Sequence, residues 1–155
     1  MDFSVPAVLK SISAAGVAVK ALGTWWRKAD GNSRALVGEL KDNLIYLDLV
    51  AKDGVDLSEI IDKLSVSEYK RLSKDGFNFN ALKRTKIKQY SSLENTDLAS
   101  WPGKETGDLV ESIYEKTNNL KIRYPHVKDN AKYRWPARVH NIRKRIWLLL
   151  KHVNS

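Results

Sequence analysis

The sequence has no cysteine, no glycine-rich loop and no long uninterrupted apolar run, and each absence excludes a class of protein. Without cysteine the chain has neither a disulfide framework nor a thiolate metal site. No glycine cluster forms a phosphate-binding loop, and no serine lies in a nucleophile-elbow pattern. Asp2 stands where a signal peptide would be basic, and Lys10 and Lys20 interrupt the apolar residues around them. We therefore expect neither export nor a membrane span, but a cytoplasmic protein without a metal or cofactor.

Helical periodicity is the main local pattern. Apolar residues recur at spacings of three and four over most of the chain, and no strand-like alternation persists. A chain of 155 residues is large enough to bury one core, and it contains no internal repeat. We predict a single all-α domain over residues 1–155, an antiparallel bundle of about four main helices with short accessory helices.

Capping residues and helix breakers give the expected helix limits. The first two helices should run from Pro6 to about Asp30 and from Asn32 or Ser33 to about Lys52, and short helices should follow, capped by Asp56 and Ser65. Later caps and breakers predict a basic helix over 81–90 capped by Asn80 and a loop over 91–107. A helix capped by Thr106 should follow from Gly107 to about Lys121, ended by Tyr124-Pro125, and the last helix should begin at Trp135 or Pro136.

Positive charge is concentrated in the C-terminal segment, residues 121–155. This segment has ten lysines and arginines and one acid, Asp129, whereas the whole chain has 27 basic and 18 acidic residues. The rest of the chain is therefore electrically balanced. A local excess of cations with interleaved tryptophans favours a polyanionic partner, because clustered cations displace the counterions of phosphates and aromatic rings stack on bases.

The last helix should present this charge. At 100° per residue its apolar residues fall on one arc of about 100°, and its basic residues flank that arc. The predicted nucleic-acid contacts are Arg134, Arg138, Lys144, Arg145, Lys151 and Trp147. The leading hypothesis is a small basic module that binds an RNA or DNA backbone, and an acidic protein is the next candidate partner. Because there is no base-reading motif, we expect no sequence specificity.

Arg134 and His140 are separated by five residues at the start of the last helix. This spacing resembles the arginine-(four to six)-histidine motif of the HEPN family of helical-bundle ribonucleases, which act without metal and usually as dimers. The resemblance implies that Arg134 clamps a phosphate and that His140 helps to activate the ribose 2′-hydroxyl. Arg145 and His152 have a similar spacing, and a bulky Trp-Pro pair follows Arg134 where the family usually has a small polar residue.

Two further interpretations are open. Leu148 points away from the apolar arc, beside Trp147, which predicts contact with another subunit in a homodimer or in a larger assembly, for example of a defence type. The first helix ends in Trp25, Trp26, Arg27 and Lys28, a composition that suits a lipid interface, although we do not expect a membrane to be the partner.

Overall fold

The computed structural model describes residues 17–155, apart from the side chain of Ser92. This range contains α-helices and no strand, which confirms the all-α class. The helices are α1 (Val17–Lys28), α2 (Gly31–Asp53), α3 (Leu57–Ile60), α4 (Ser67–Lys74), α5 (Thr106–Val127) and α6 (Trp135–Val153), and short 3-10 helices cover Phe79–Leu82, Ser91–Leu93 and Ala131–Tyr133. The predicted helix start at Pro6 lies outside the described residues. The single domain and the antiparallel arrangement of four helices stay predictions.

Helices α2 and α6 are central to the packing. Helix α6 contacts α1, α2 and α5, and α2 also contacts α1, α3 and α4. Every residue of α6 from Val139 to Leu150 is buried except Asn141, which is partly buried. An apolar arc of about 100° needs cover on one side only. Over this stretch helix α6 is instead surrounded, so His140, Arg143, Lys144 and Arg145 also lie in the interior.

The predicted helix over 81–90 is wrong. Asn78 caps the 3-10 helix Phe79–Leu82, and the chain then continues without helix to Tyr90. Ile87 forms the backbone hydrogen bonds that fix this segment, donating to the Lys104 carbonyl at 2.9 Å and accepting from the Gly103 N–H at 2.8 Å. A helix here would place like charges at i and i+4, whereas pairing with 103–104 buries Ile87 and separates the cations.

Helix α5 differs from its prediction at both ends. Glu105, not Thr106, caps it, and the Asp108 side chain accepts from the Glu105 N–H in a capping box. The helix continues past Pro125 to Val127. Proline removes only one hydrogen bond in this last turn, and buried Tyr124 holds the turn against Trp135, with ring centroids 5.2 Å apart.

The accessory helices are capped in two ways. Asp56 caps α3 as predicted, since its carboxylate accepts from the Ser58 N–H at 2.8 Å. Helix α4 is capped from a distance: Glu39 of α2 accepts from the N–H groups of Glu68 and Tyr69 at 2.9 and 3.2 Å. Val66, not Ser65, occupies the N-cap position of α4. The Ser65 hydroxyl donates to the same Glu39 carboxylate and accepts from the Ser67 N–H at 3.3 Å.

Candidate functional site

Two of the predicted phosphate contacts, Lys144 and Arg145, are internal. They are only 7% and 8% exposed. Lys144 Nζ lies 2.6 Å from Asp97 Oδ1, and Arg145 Nη1 lies 3.8 Å from Asp97 Oδ2. Desolvation opposes the charge of Asp97, but the hydrogen bond and charge of Lys144 outweigh it and lower the pKa of this carboxyl. The prediction that Lys144 and Arg145 form part of an exposed basic face is therefore wrong.

Arg143, His140 and Trp147 form a second internal cluster. Arg143 Nε donates to Asp48 Oδ1 at 2.8 Å, and the guanidinium carbon lies 4.6 Å from the centroid of Trp147. Because a guanidinium only donates, its 3.2 Å contact with His140 Nδ1 makes that nitrogen an acceptor. His140 and Trp147 are 5% and 2% exposed. The predicted surface positions of His140 and Trp147 are wrong, because both side chains belong to the core.

Leu148, the predicted interface residue, is fully buried. The segment over residues 83–97, here called the covering segment, closes the side of α6 that the helix geometry left open. It meets α6 in antiparallel order: Lys83 Nζ donates to the Ser155 carbonyl (2.8 Å), the Tyr90 ring faces Lys151 Nζ (5.9 Å), and Asp97 binds Lys144. Leu148 is therefore a core residue, and its predicted outward contact is wrong.

Arg134 and Arg138 remain exposed, and they line a groove between α5 and the start of α6. The groove has a volume of about 430 Å³. Two further cations on its walls are Lys116 of α5 and Lys132. The remaining lining residues are uncharged: Asn119, Leu120, Tyr133, Ala137 and Asn141. We call this site the basic groove, since four cations and no carboxylate line it.

Main-chain and aromatic contacts orient Arg138. Its Nε donates to the Tyr133 carbonyl at 2.6 Å, and its guanidinium carbon lies 5.2 and 5.8 Å from the ring centroids of Tyr133 and Trp135. Those two rings are stacked at 5.2 Å with an angle of 7° between their planes. The two Nη groups have no hydrogen-bond partner within the described residues. The guanidinium is therefore oriented with two free N–H donor groups that can bind an anionic oxygen.

Arg134 has an unusual backbone conformation. It precedes the first turn of α6 with φ 47° and ψ 62°, in the left-handed region. A side chain other than glycine costs about 1 to 2 kcal/mol there. The Arg134 side chain makes no hydrogen bond or ion pair within residues 17–155, so no polar interaction of that side chain offsets the cost. Strain of this kind is typical of functional positions.

The cations of the basic groove are not neutralised locally. Within the part of the chain that the structure describes, Lys116, Lys132, Arg134 and Arg138 form no ion pair. Burial lowers the pKa of Lys116, and the positive charges of Arg145 and Arg138 lower it further against the opposing effect of Asp97 and Glu115. An anionic ligand bound beside Lys116 would favour the charged form of this lysine.

The sequence did not predict the whole groove. Lys132 belongs to the basic segment 121–155, and its charge was a usable signal, but Lys116 lies in an ordinary amphipathic helix. Lys151, another predicted contact, is half-buried at the far end of α6. Arg134 lines the groove and His140 does not. The structure therefore does not bring the proposed catalytic pair together in one cavity, and the ribonuclease alternative stays a prediction.

Two other classes of site are absent from residues 17–155. No three histidine, aspartate or glutamate side chains there are grouped so that they could hold a metal ion. None of the helices in that range combines the length and apolar character needed to cross a bilayer. No family model, curated protein or solved structure matches this chain.

Proposed function

We propose that this chain binds the phosphate backbone of a nucleic acid in the basic groove. The phosphate oxygens are contacted by the four groove cations Arg134, Arg138, Lys116 and Lys132. The side-chain amides of Asn119 and Asn141 donate hydrogen bonds to the same phosphates. In this proposal the protein acts as a binding module, and a metal-independent ribonuclease is the alternative. A cytoplasmic location and a homodimer or larger assembly remain parts of the same hypothesis.

One observation carries this proposal: four unpaired cations converge on one groove without a carboxylate among its lining residues. In the middle of α6, by contrast, the chain neutralises its cations with its own acids, as Asp48 does for Arg143 and Asp97 for Lys144. Holding four like charges together costs free energy at low ionic strength, and a bound polyanion removes that cost. The groove is therefore a better candidate than the neutralised middle of α6.

The groove suits phosphates better than bases. Tyr133 already stacks on Trp135, and Lys132 Nζ and the Arg138 guanidinium lie 5.3 and 5.2 Å from the Tyr133 centroid. These rings position cations and leave little room for a base to stack. Backbone contacts of this type position a strand without reading its sequence, so we expect weak discrimination among sequences.

Fluorescence anisotropy with a labelled single-stranded oligonucleotide tests the proposal. If the four groove cations each neutralise one phosphate, a plot of log affinity against log salt should have a slope of about −3. The double variant Lys132→Gln/Arg138→Gln should weaken binding and reduce the slope by about 1.4. The matched control is Lys70→Gln/Lys74→Gln, which removes the same charge from α4, outside the groove.

Three outcomes contradict the proposal. The first is an affinity that does not change with salt. The second is an equal loss in the groove variant and the α4 control, which would make the effect one of net charge. The third is equal competition by a polyglutamate peptide of matched charge, which would favour an acidic protein as partner. Circular dichroism establishes that each variant keeps its helical content.

A further inference from the structure

The covering segment carries a second group of exposed cations, Arg84, Lys86 and Lys88. Between the two lysines, Ile87 is 2% exposed and is fixed by its backbone hydrogen bonds to residues 103–104. Lys86 and Lys88 are exposed on either side of buried Ile87, an alternation typical of an extended chain, in which residues two apart lie on one face about 6.6 Å from each other. None of these three cations forms an ion pair within residues 17–155.

This group lies beside the C-terminal end of α6. Lys151 Nζ is 5.9 Å from the Tyr90 ring, which follows Lys88 by two residues. Burial lowers the pKa of His152, and the positive charges of Lys83 and Lys88 lower it further, so Lys88 is near the end of the helix. Lys86, Lys88 and Lys151 form what we call the distal patch.

The distal patch and the basic groove lie on the same side of α6. At 100° per residue, two sets of α6 residues share one arc of about 140°. One set lines the groove (Ala137, Arg138, Asn141), and the other lies on the covering-segment side (Lys144, Arg145, Lys151). The covering segment occupies that side over the second half of the helix, and the groove occupies it over the first half. From Arg134 to Lys151, seventeen residues of rise give a separation of about 26 Å.

We propose that the distal patch is a second phosphate-binding site, and that one nucleic-acid strand lies along this side of α6 and contacts the patch and the groove together. This inference rests on the proposed function of the groove. It adds a length requirement: at the 3.4 Å rise of a stacked strand, about eight phosphate intervals span 26 Å. A trinucleotide reaches one site, whereas a longer strand reaches both and gains affinity from their linkage.

The test measures binding of labelled oligothymidines of 3 and 16 nucleotides by anisotropy. The distal variant is Lys86→Gln/Lys88→Gln, the groove variant is Lys132→Gln/Arg138→Gln, and Lys70→Gln/Lys74→Gln on α4 is the matched control. The distal variant should bind the 16-mer about 5- to 25-fold more weakly in 0.1 M salt, because each lost contact removes about 0.7 log units relative to 1 M salt. Its affinity for the trinucleotide should stay within about twofold of wild type.

The outcomes separate the two proposals. If the groove variant loses both oligomers and the distal variant binds the 16-mer like wild type, the second site is refuted and the groove remains. If the distal variant loses both oligomers in the same proportion, the two sites are not linked by strand length, and the inference also fails. If neither variant differs from the α4 control, the proposed function itself is wrong.

Discussion

Replacing Arg134 with glycine should separate nucleic-acid binding from stability at one position. In the left-handed region at φ 47°, arginine costs about 1 to 2 kcal/mol that glycine does not. Glycine also increases the conformational entropy of the unfolded chain, which lowers the free energy of unfolding by about 0.4 to 1 kcal/mol. Because the exposed Arg134 side chain makes no hydrogen bond within the described residues, we expect the free energy of unfolding to stay unchanged or to rise by up to about 1.6 kcal/mol.

The same substitution should weaken oligonucleotide binding. Removing one phosphate contact lowers affinity about fivefold in 0.1 M salt and reduces the salt slope by about 0.7. Arg134→Ala should show the same loss of affinity without the relief of strain. Asn95→Gly is the matched control, since Asn95 is also left-handed, at φ 63°, and does not line the groove. It should leave affinity unchanged.

Urea unfolding followed by tryptophan fluorescence, together with anisotropy titrations, measures both effects. A decrease of more than about 1 kcal/mol in the free energy of unfolding of Arg134→Gly would show that the side chain stabilises the fold. Unchanged affinity would show that the groove is not where the ligand binds. If Arg134 serves binding and not folding, its replacement should lower the affinity for the oligonucleotide and leave the free energy of unfolding unchanged or higher.

Three further substitutions test the interior of the site. Asp97→Asn should cost about 1 to 3 kcal/mol in urea unfolding, less than a fully buried pair because the Asp97 side chain is 44% exposed, and it should not weaken oligonucleotide binding. Leu148→Glu should prevent stable folding, since it places a carboxylate where no surface is exposed; a folded variant with altered oligomeric state would support an interface there. Burial lowers the pKa of His152 in the folded protein, so the unfolded chain binds a proton at a higher pH than the folded chain does. The free energy of unfolding should therefore fall as pH drops below about 6.5. In thermal melts, His152→Gln should reduce this dependence of stability on pH.

Local signals in the sequence predicted the helices whose limits depend on local chemistry. Pro136 marked the start of α6 and Asp56 the cap of α3, and both are confirmed because a cap or a fixed φ acts within one turn. The errors occur where a distant partner decides the conformation. Residues 81–90 have the composition of a basic helix, but Ile87 pairs with 103–104 instead. Nothing within that window shows that its partner lies about fifteen residues further along the chain.

The site was predictable in its charge but not in its location. Helical geometry assigned Lys144 and Arg145 to a solvated flank, and that step assumes that nothing covers the polar side of a helix. The covering segment covers that side and supplies Asp97 as the counter-ion of both cations. Lys144 and Arg145 therefore form internal ion pairs and do not contact an external ligand. The cations of a basic segment can therefore form internal ion pairs or bind an external polyanion. Only cations without an acidic partner in the chain are available to a polyanion. Since Arg134 and Arg138 precede the covered part of α6, their positive charge stays exposed at the start of the helix.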